Sequence, residues 1–525
     1  MKKLIIIFSA ASMLFLTSCD SWLLEPSPGI TKLADFYTVG QTAIQNANAA
    51  YVPLMWEYNY SYFPEWFIGD VVSDDALKGG QNIGDMADVY DMENFKTNVN
   101  NGYLLDFYRA QWQGIQRCNL PLQEIPKMKN DLTLTSSVQN RLVGELKFLR
   151  ALYYFRLVRV FGGVPKATSI IESSANWKQP RATSSEIYAQ IISDLEDANS
   201  KLWIKSKYAS TDLGRVTKGA AQAMLLKANL YNHNYVDAKR WGDSIIASHE
   251  YDLVPNYVDN FTLAGENGKE SVFEIQFMEN PNSDYGGANG EGGEGYTRGT
   301  FTVILTRSRS SQLGGGWGFN KPTENLYKEY EINDPRRDIT ILNPTEGQIE
   351  NQEQEIYLGS RYLNKKYALM NSDGSFYKLT HPTRGPINSK VIRYADVLLM
   401  YAEACCETGD LTGAKNALEA VRARARGTNG GILPAFPNYN SYIDNKTDLI
   451  KAIRHERRVE LAMEGHRWFD LCRWGVAKEV MDAYKSTESV DAQKHMAAFI
   501  KGKHELMPIP SKEIDLNPMD QNPNY

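Results

Sequence analysis

Cysteine is scarce in this chain: five among 525 residues, at positions 19, 118, 405, 406 and 472. So sparse a set, with no C-x-x-C, excludes a dense disulfide framework. Adjacent Cys405 and Cys406 cannot easily bridge each other, and buried free thiols are the expectation. A block of one charge is also missing. Lys and Arg number 57 against 63 Asp and Glu, a formal net charge of −6, and no basic stripe marks a nucleic-acid surface. No apolar run reaches the roughly 20 residues of a membrane-spanning helix.

The usual catalytic signatures are absent as well. There is no G-x-x-x-x-G-K-[ST] phosphate loop and no G-x-S-x-G elbow. The glycine clusters lack the strand–turn–helix setting of a dinucleotide site. His455-Glu456-Arg457-Arg458-Val459 begins like a zinc-protease helix, but Val459 stands where the second imidazole belongs. Asp74 and Asp75 are the one tempting carboxylate pair. Glycosidic hydrolysis needs two carboxyls about 5–9 Å apart across the scissile bond, which sequence neighbours rarely supply. Turn chemistry or a polar ligand contact suits them better. These readings predict a protein that is not an enzyme and needs no cofactor or metal.

What is present begins at the N-terminus. Lys2 and Lys3 precede the apolar run Leu4 to Leu16, the length of a signal-peptide core. Leu16-Thr17-Ser18-Cys19 has the form of a bacterial lipobox, which predicts a signal peptide over 1–18 and lipidation, by palmitate among other chains, at Cys19. Residues 19–40, with Glu25-Pro26-Ser27-Pro28-Gly29, read as a tether. The rest, 41–525, reads as the folded part.

Within it the pattern is mainly α. Leu142, Leu146, Leu149, Tyr153, Leu157 and Val160 form one helical face that stops at Gly162-Gly163 and Pro165. Ser184-Ser185-Glu186 opens another helix. Ala223 to Ala238 and Val397 to Ala417 each read as helix, tight turn, helix, the texture of tetratricopeptide-like hairpins. The helical scaffold is expected mainly over 103–250 and 390–475. A loop-rich, glycine-rich insertion over 251–389 separates the two parts, with strand-like runs at Ser271 to Phe277 and Phe301 to Leu305. A charge-dense helix is expected over 449–474. Arg457 with Glu460 and Glu464 with Arg467 are spaced as helical pairs, and Leu461, Trp468, Phe469 and Leu471 imply packing into a partly buried ion-pair network.

Ordered motifs then carry a resemblance. They are Phe148-Leu149-Arg150-Ala151 with Phe161-Gly162-Gly163-Val164-Pro165, Gly214-Arg215-Val216-Thr217-Lys218-Gly219, Asp334-Pro335-Arg336-Arg337, Arg393-Tyr394-Ala395-Asp396, Glu464-Gly465-His466-Arg467-Trp468-Phe469-Asp470, and the terminal Pro508-Ile509-Pro510 and Asn522-Pro523. From Cys19 to Tyr525 the chain resembles the SusD/RagB nutrient-uptake lipoproteins of the Bacteroidetes. The resemblance implies a tetratricopeptide-like scaffold with an irregular ligand-binding half. It implies a lipid-anchored protein on the outer face of the outer membrane, lying as a lid on a SusC-like TonB-dependent transporter. The implied ligand is a nutrient oligosaccharide, with a peptide as the family alternative. A surface glycosidase and a pure interaction scaffold are the readings from other classes.

The shared motifs do not locate the ligand, so the candidates come from chemistry. Sugars offer C–H faces to aromatic rings and hydroxyls to amides and charged groups. Two stretches fit. One runs from Asp74 and Asp75 through Lys78, Gln81 and Asn82 to Asp85. The other is Gly314 to Asn320, with Trp317 and Phe319 set among glycines and with Tyr296 and Arg309 nearby in sequence. Trp317 is the expected stacking platform.

Overall fold

The structure is a computed structural model that describes residues 36–58, 61–171, 177–279, 299–351, 356–427 and 433–525. The expected lipidation site Cys19 and the candidate Tyr296 lie outside the described residues.

The scaffold is a continuous array of helices: α1 (Gly40–Tyr51), α2 (Gly102–Glu124), α3 (Ser136–Phe161), α4 (Ser184–Lys201), α5 (Lys218–Tyr231) and α6 (Tyr235–Ala247). Local sequence sets the ends. The Thr135 side chain caps α3, and Gly162, at φ 71°, stops it. Thr183 and Glu186 form a reciprocal capping box at the start of α4, which satisfies two orphan backbone donors. The helices α2 to α6 pack each on the next, and α1 lies against α2 and α3.

After α6 the chain leaves the array for the long insertion and returns as α8 (Tyr394–Thr408), α9 (Leu411–Arg426) and α10 (Lys446–Leu461). Helix α6 packs directly on α8, so the array closes across the excursion. The approach is close: a Cβ on Gly242 would lie 2.4 Å from a ring carbon of Tyr401. Both hairpins expected from sequence, α5–α6 and α8–α9, are present. Cys118, Cys405 and Cys406 are buried free thiols, and Cys472 is half-buried and free. Among the described residues no helix is long and apolar enough to cross a membrane.

The insertion contributes short antiparallel ribbons rather than a sheet. Strand β1 (Ala76–Gly79) pairs with β3 (Phe319–Pro322), β2 (Ser271–Ile275) with β6 (Ser389–Arg393), and β4 (Ile341–Leu342) with β5 (Leu363–Asn364). The strand expected at Phe301 to Leu305 is instead a helical turn, α7 (Thr302–Thr306). Phe301 and Leu305 are fully buried there, and an apolar run this short does not distinguish a buried turn from a buried strand.

The charge-dense helix also departs from expectation. It breaks after α10 and resumes as α11 (Arg467–Arg473), with Met463 at φ 64° and Gly465 at φ 79° between them. The break lets the Gly465 carbonyl press on Gly69, where an added Cβ would sit 2.1 Å from it. The ion-pair network exists, and Arg473 pairs with Asp470 one helical turn away at 2.8 Å, but the partners of Arg457, Glu460 and Glu464 are remote in sequence rather than one turn apart. Arg457 bonds Asp396 at 2.8 Å and Asp470 at 3.1 Å. Glu460 accepts from Arg336 and Arg393, each at 3.0 Å, and from Arg424 at 2.5 Å. Glu464 accepts from Lys366 and Arg393, each at 2.7 Å. Burial alone would raise the Glu460 carboxyl; Arg424, Arg393 and Arg336 overcome it and hold the group well below the ordinary range.

Candidate ligand-binding site

The ribbon β1–β3 brings the two sequence-selected stretches side by side, with Ala76 opposite Pro322 and Gly79 opposite Phe319. Their residues fare differently. Asp74 and Asp75 are 2% and 1% exposed. Asp74 receives Arg467 Nε at 2.8 Å and Arg458 at 2.8 Å, and Asp75 receives Arg458 Nε at 2.8 Å. Burial works against both ionised carboxyls; the two guanidiniums hold Asp74 down to about 2, while Asp75 stays above its ordinary value. Both carboxylates are committed to the interior, which leaves neither to flank a substrate.

Lys78 is fully buried too. Its ammonium donates to the carbonyls of Gly79 at 2.7 Å, Asn82 at 3.1 Å and Asp85 at 2.6 Å, so it closes the 79–85 loop from beneath. It also lies 5.4 Å from the Phe319 ring centroid and 4.9 Å from that of Tyr357. Burial lowers its pKa to about 8. Phe319 and Asn320 are buried. The Asn320 amide donates to Asp70 at 3.2 Å, and its carbonyl oxygen is buried without a hydrogen-bond partner. Of the candidate residues in the first stretch only Gln81 and Asn82 are exposed, and Asp85 is half-buried. The Asn82 side-chain Oδ1 accepts from the backbone N–H groups of Gly84 and Asp85. Arg309 is half-buried and packs over Gly318.

Trp317 is half-buried at the surface, and the glycines around it explain how. Gly314, Gly315 and Gly318 take φ values of 96°, 59° and 74°, which side chains rarely adopt. A Cβ on Gly316 would sit 2.5 Å from that of Arg307. The tight path is fixed by Trp317 N–H donating to Ile304 O and Gly318 N–H to Arg307 O, both at 2.8 Å. The indole lies edge-on to Tyr62 at 5.4 Å and nearly parallel to Phe301 at 6.4 Å. Tyr62 in turn meets Tyr58 at 4.6 Å. Tyr58 and Tyr62 are half-buried like Trp317, so three rings present a continuous partly open surface over buried Phe301.

Two charged groups lock this surface from below. Glu57 accepts from Phe301 N–H at 2.6 Å and from the hydroxyls of Thr300 at 2.8 Å and Thr302 at 3.2 Å. Burial pushes its carboxyl up. The Arg384 guanidinium lies 3.5 Å from the Phe301 ring centroid. Rings held this firmly lose little freedom on binding, which favours stacking against an apolar ligand face.

Tyr58 and Tyr62 were not among the sequence candidates. The signal that finds them is the run Trp56 to Phe67, where Tyr58, Tyr60 and Tyr62 alternate, a density of aromatics beyond what one buried segment needs.

The SusD family model matches residues 269–525, and a model described as starch-binding associating with outer membrane matches 46–230. A solved laminarin-binding SusD-like protein is 28% identical, with a TM-score of 0.76 over 93% of this chain and 100% of its own. SusD-like protein P38 of Formosa agariphila is 26% identical over 89% of this chain and 90% of its own length. The surface glycan-binding protein A of Bacteroides thetaiotaomicron, solved with laminarihexaose, shares the fold at a TM-score of 0.76 and 24% identity, over 92% of this chain and 99% of its own.

Proposed function

We infer, from the premise that this chain belongs to the SusD family, that it is a lipid-anchored surface protein capturing nutrient oligosaccharides for a SusC-like TonB-dependent outer-membrane transporter, on which it sits as a lid. The observation that carries the ligand class is the surface of Tyr58, Tyr62 and Trp317. These are preset, half-open rings on a scaffold shared with a laminarin binder. Such rings pack on the C–H faces of pyranoses. The exposed amides of Gln81 and Asn82 belong to the loop joined to this region through β1–β3, and they add hydrogen-bonding capacity at its edge. The chain binds its ligand without cutting it. The adjacent carboxylates Asp74 and Asp75 are paired with Arg458 and Arg467.

Calorimetry with neutral oligosaccharides, laminarihexaose first, tests this reading. Saturable binding that Tyr62→Ala and Trp317→Ala weaken supports it. Release of shorter sugars would make the chain a hydrolase, and binding of peptides alone would select the peptide alternative. Co-purification with the transporter from membranes, lost on Cys19→Ala release, tests the lid and the anchor.

A further inference from the structure

On the C-terminal side of the molecule lies an open cleft of about 510 Å³ that the aromatic surface does not use. One face of α10 forms its floor. Lys451, Arg454, His455 and Arg458 fall at i, i+3, i+4 and i+7, the spacing that aligns side chains along a helix. The opposite face, with Leu449, Ala452, Ile453 and Val459, is buried in the core. Half-buried Tyr442 and Trp474 also line the cleft.

The cations in this cleft are balanced with one exception, and one lining carboxylate, the exposed Glu479, has no ion-pair partner among the described residues. Lys328 pairs with Glu324, Lys451 with Asp448, Arg458 with Asp74, Asp75 and Glu329, and Arg467 with Asp74. His455 is held by Glu329 at 2.7 Å and Glu331 at 3.4 Å. Arg454 has no carboxylate partner among the described residues, and its Nε is buried without a hydrogen bond. Its guanidinium lies 4.8 Å from the Trp474 ring centroid. Trp474 is itself fixed, with its indole N–H on Glu403 at 3.0 Å and Arg473 against the ring at 4.9 Å. The cleft therefore holds a preoriented guanidinium fork without a direct ion pair beside a rigid indole, with the exposed Glu479 carboxylate on the same lining. A guanidinium fork matches a carboxylate or sulfate in two parallel hydrogen bonds.

We propose that this cleft is a second binding site, for an oligosaccharide bearing a carboxylate or sulfate group. The anion meets Arg454, which Trp474 holds in place, and a sugar face meets Tyr442. A sugar fits better than a peptide because aromatic rings line a wide cleft to which no strand contributes among the described residues. The proposal stands apart from the aromatic surface and does not depend on it.

The test is calorimetry on the full mature chain with four probes: galacturonic acid trisaccharide, a sulfated galactose disaccharide, a neutral galactose trisaccharide and tetraglutamate. At least one anionic sugar is expected to bind ten times more tightly than the neutral one, more weakly as salt rises. Arg454→Gln and Trp474→Leu should each reduce that affinity about tenfold or more, in line with loss of a binding hot spot. Arg454→Lys, which keeps the charge and loses the fork, should fall between, and Trp317→Ala should leave it unchanged. Preference between uronate and sulfate identifies the source of the anion. Failure of both anionic sugars to bind, full affinity in Arg454→Gln, or tighter binding of tetraglutamate would overturn the proposal.

Discussion

Asp74 and Trp317 stand just outside opposite ends of one short ribbon. Asp74 precedes β1 at the Ala76–Pro322 end, and Trp317 precedes β3 at the Gly79–Phe319 end. Each is the most chemically conspicuous residue of its stretch, and the fold turns them in opposite directions. Asp74 faces inward to two arginines from the C-terminal helices; Trp317 stays at the surface on a glycine turn. A carboxylate can be buried here because cations arrive from nearly 400 residues further along the chain, as the Arg467–Asp74 separation of 393 shows. An indole on a backbone path that admits no neighbouring Cβ has less room to turn inward.

The comparison breaks most visibly at the carboxylate. Asp74→Ala leaves half-buried Arg467 with only Asp75 at 3.9 Å and removes one of the carboxylates on buried Arg458; the cost is expected toward the low end of the about 3–5 kcal/mol typical of a broken buried pair. Thermal melts should show a large loss of stability, while calorimetry on the folded protein should show near-normal oligosaccharide affinity. Loss of affinity without loss of stability would turn Asp74 back into a ligand contact. At the other end, Trp317→Ala should weaken oligosaccharide binding by about 2 kcal/mol, roughly thirtyfold. Its contacts with Tyr62 and Phe301 predict a smaller drop in melting temperature than Asp74→Ala gives. Intact affinity with a lowered melt would make the ring a staple for the loop.

A third variant tests the middle of the ribbon. Asp70, which binds Asn320 of β3, is pushed up to about 8 by burial. The unfolded carboxyl titrates near about 3.9, so between those values the folded chain holds a proton the unfolded chain has released. Stability from this group is therefore full below the unfolded pKa and is lost as pH rises toward 8. Asp70→Asn should flatten that dependence and be relatively more stable at pH 8 than at pH 5, read by denaturant midpoints. An unchanged slope would place the proton elsewhere. The smallest effect is expected at exposed Gln81: Gln81→Ala should shift stability by less than about 0.5 kcal/mol. A measurable loss of sugar affinity in that variant would show that the loop tip reaches the ligand.

How much of this was legible in the sequence depended on range. Helix α3 could be read from its 3.6-residue periodicity and the Gly162 stop, and α4 from its capping box, because those signals are local. The ion-pair network could be read only as a composition. Arg457 and Glu460 are spaced as partners, yet each spends its charge on residues such as Asp396 and Arg393 that no local rule selects. Phe301 to Leu305 carried too short an apolar run to separate strand from turn. That Trp317 stays half-open could be read from its glycines, a backbone signal. Tyr58 and Tyr62 were missed because aromatic density alone does not tell a surface ring from a core ring; Glu57 and Arg384 make that distinction, and both act from beneath residues far away in the chain.

The ribbon also sets a timetable. Asn320 meets Asp70 across 250 residues, and Phe301 meets Glu57 across 244. Contacts of such separation demand large loop closures and form late relative to neighbouring helices. The helical array can assemble from sequence-adjacent hairpins while Tyr58 and Trp317 are still far apart. In refolding, helical signal should therefore recover before sugar affinity does. A chain that is already mostly helical, but has not closed β1 on β3, would still lack the joint surface of Tyr58, Tyr62 and Trp317.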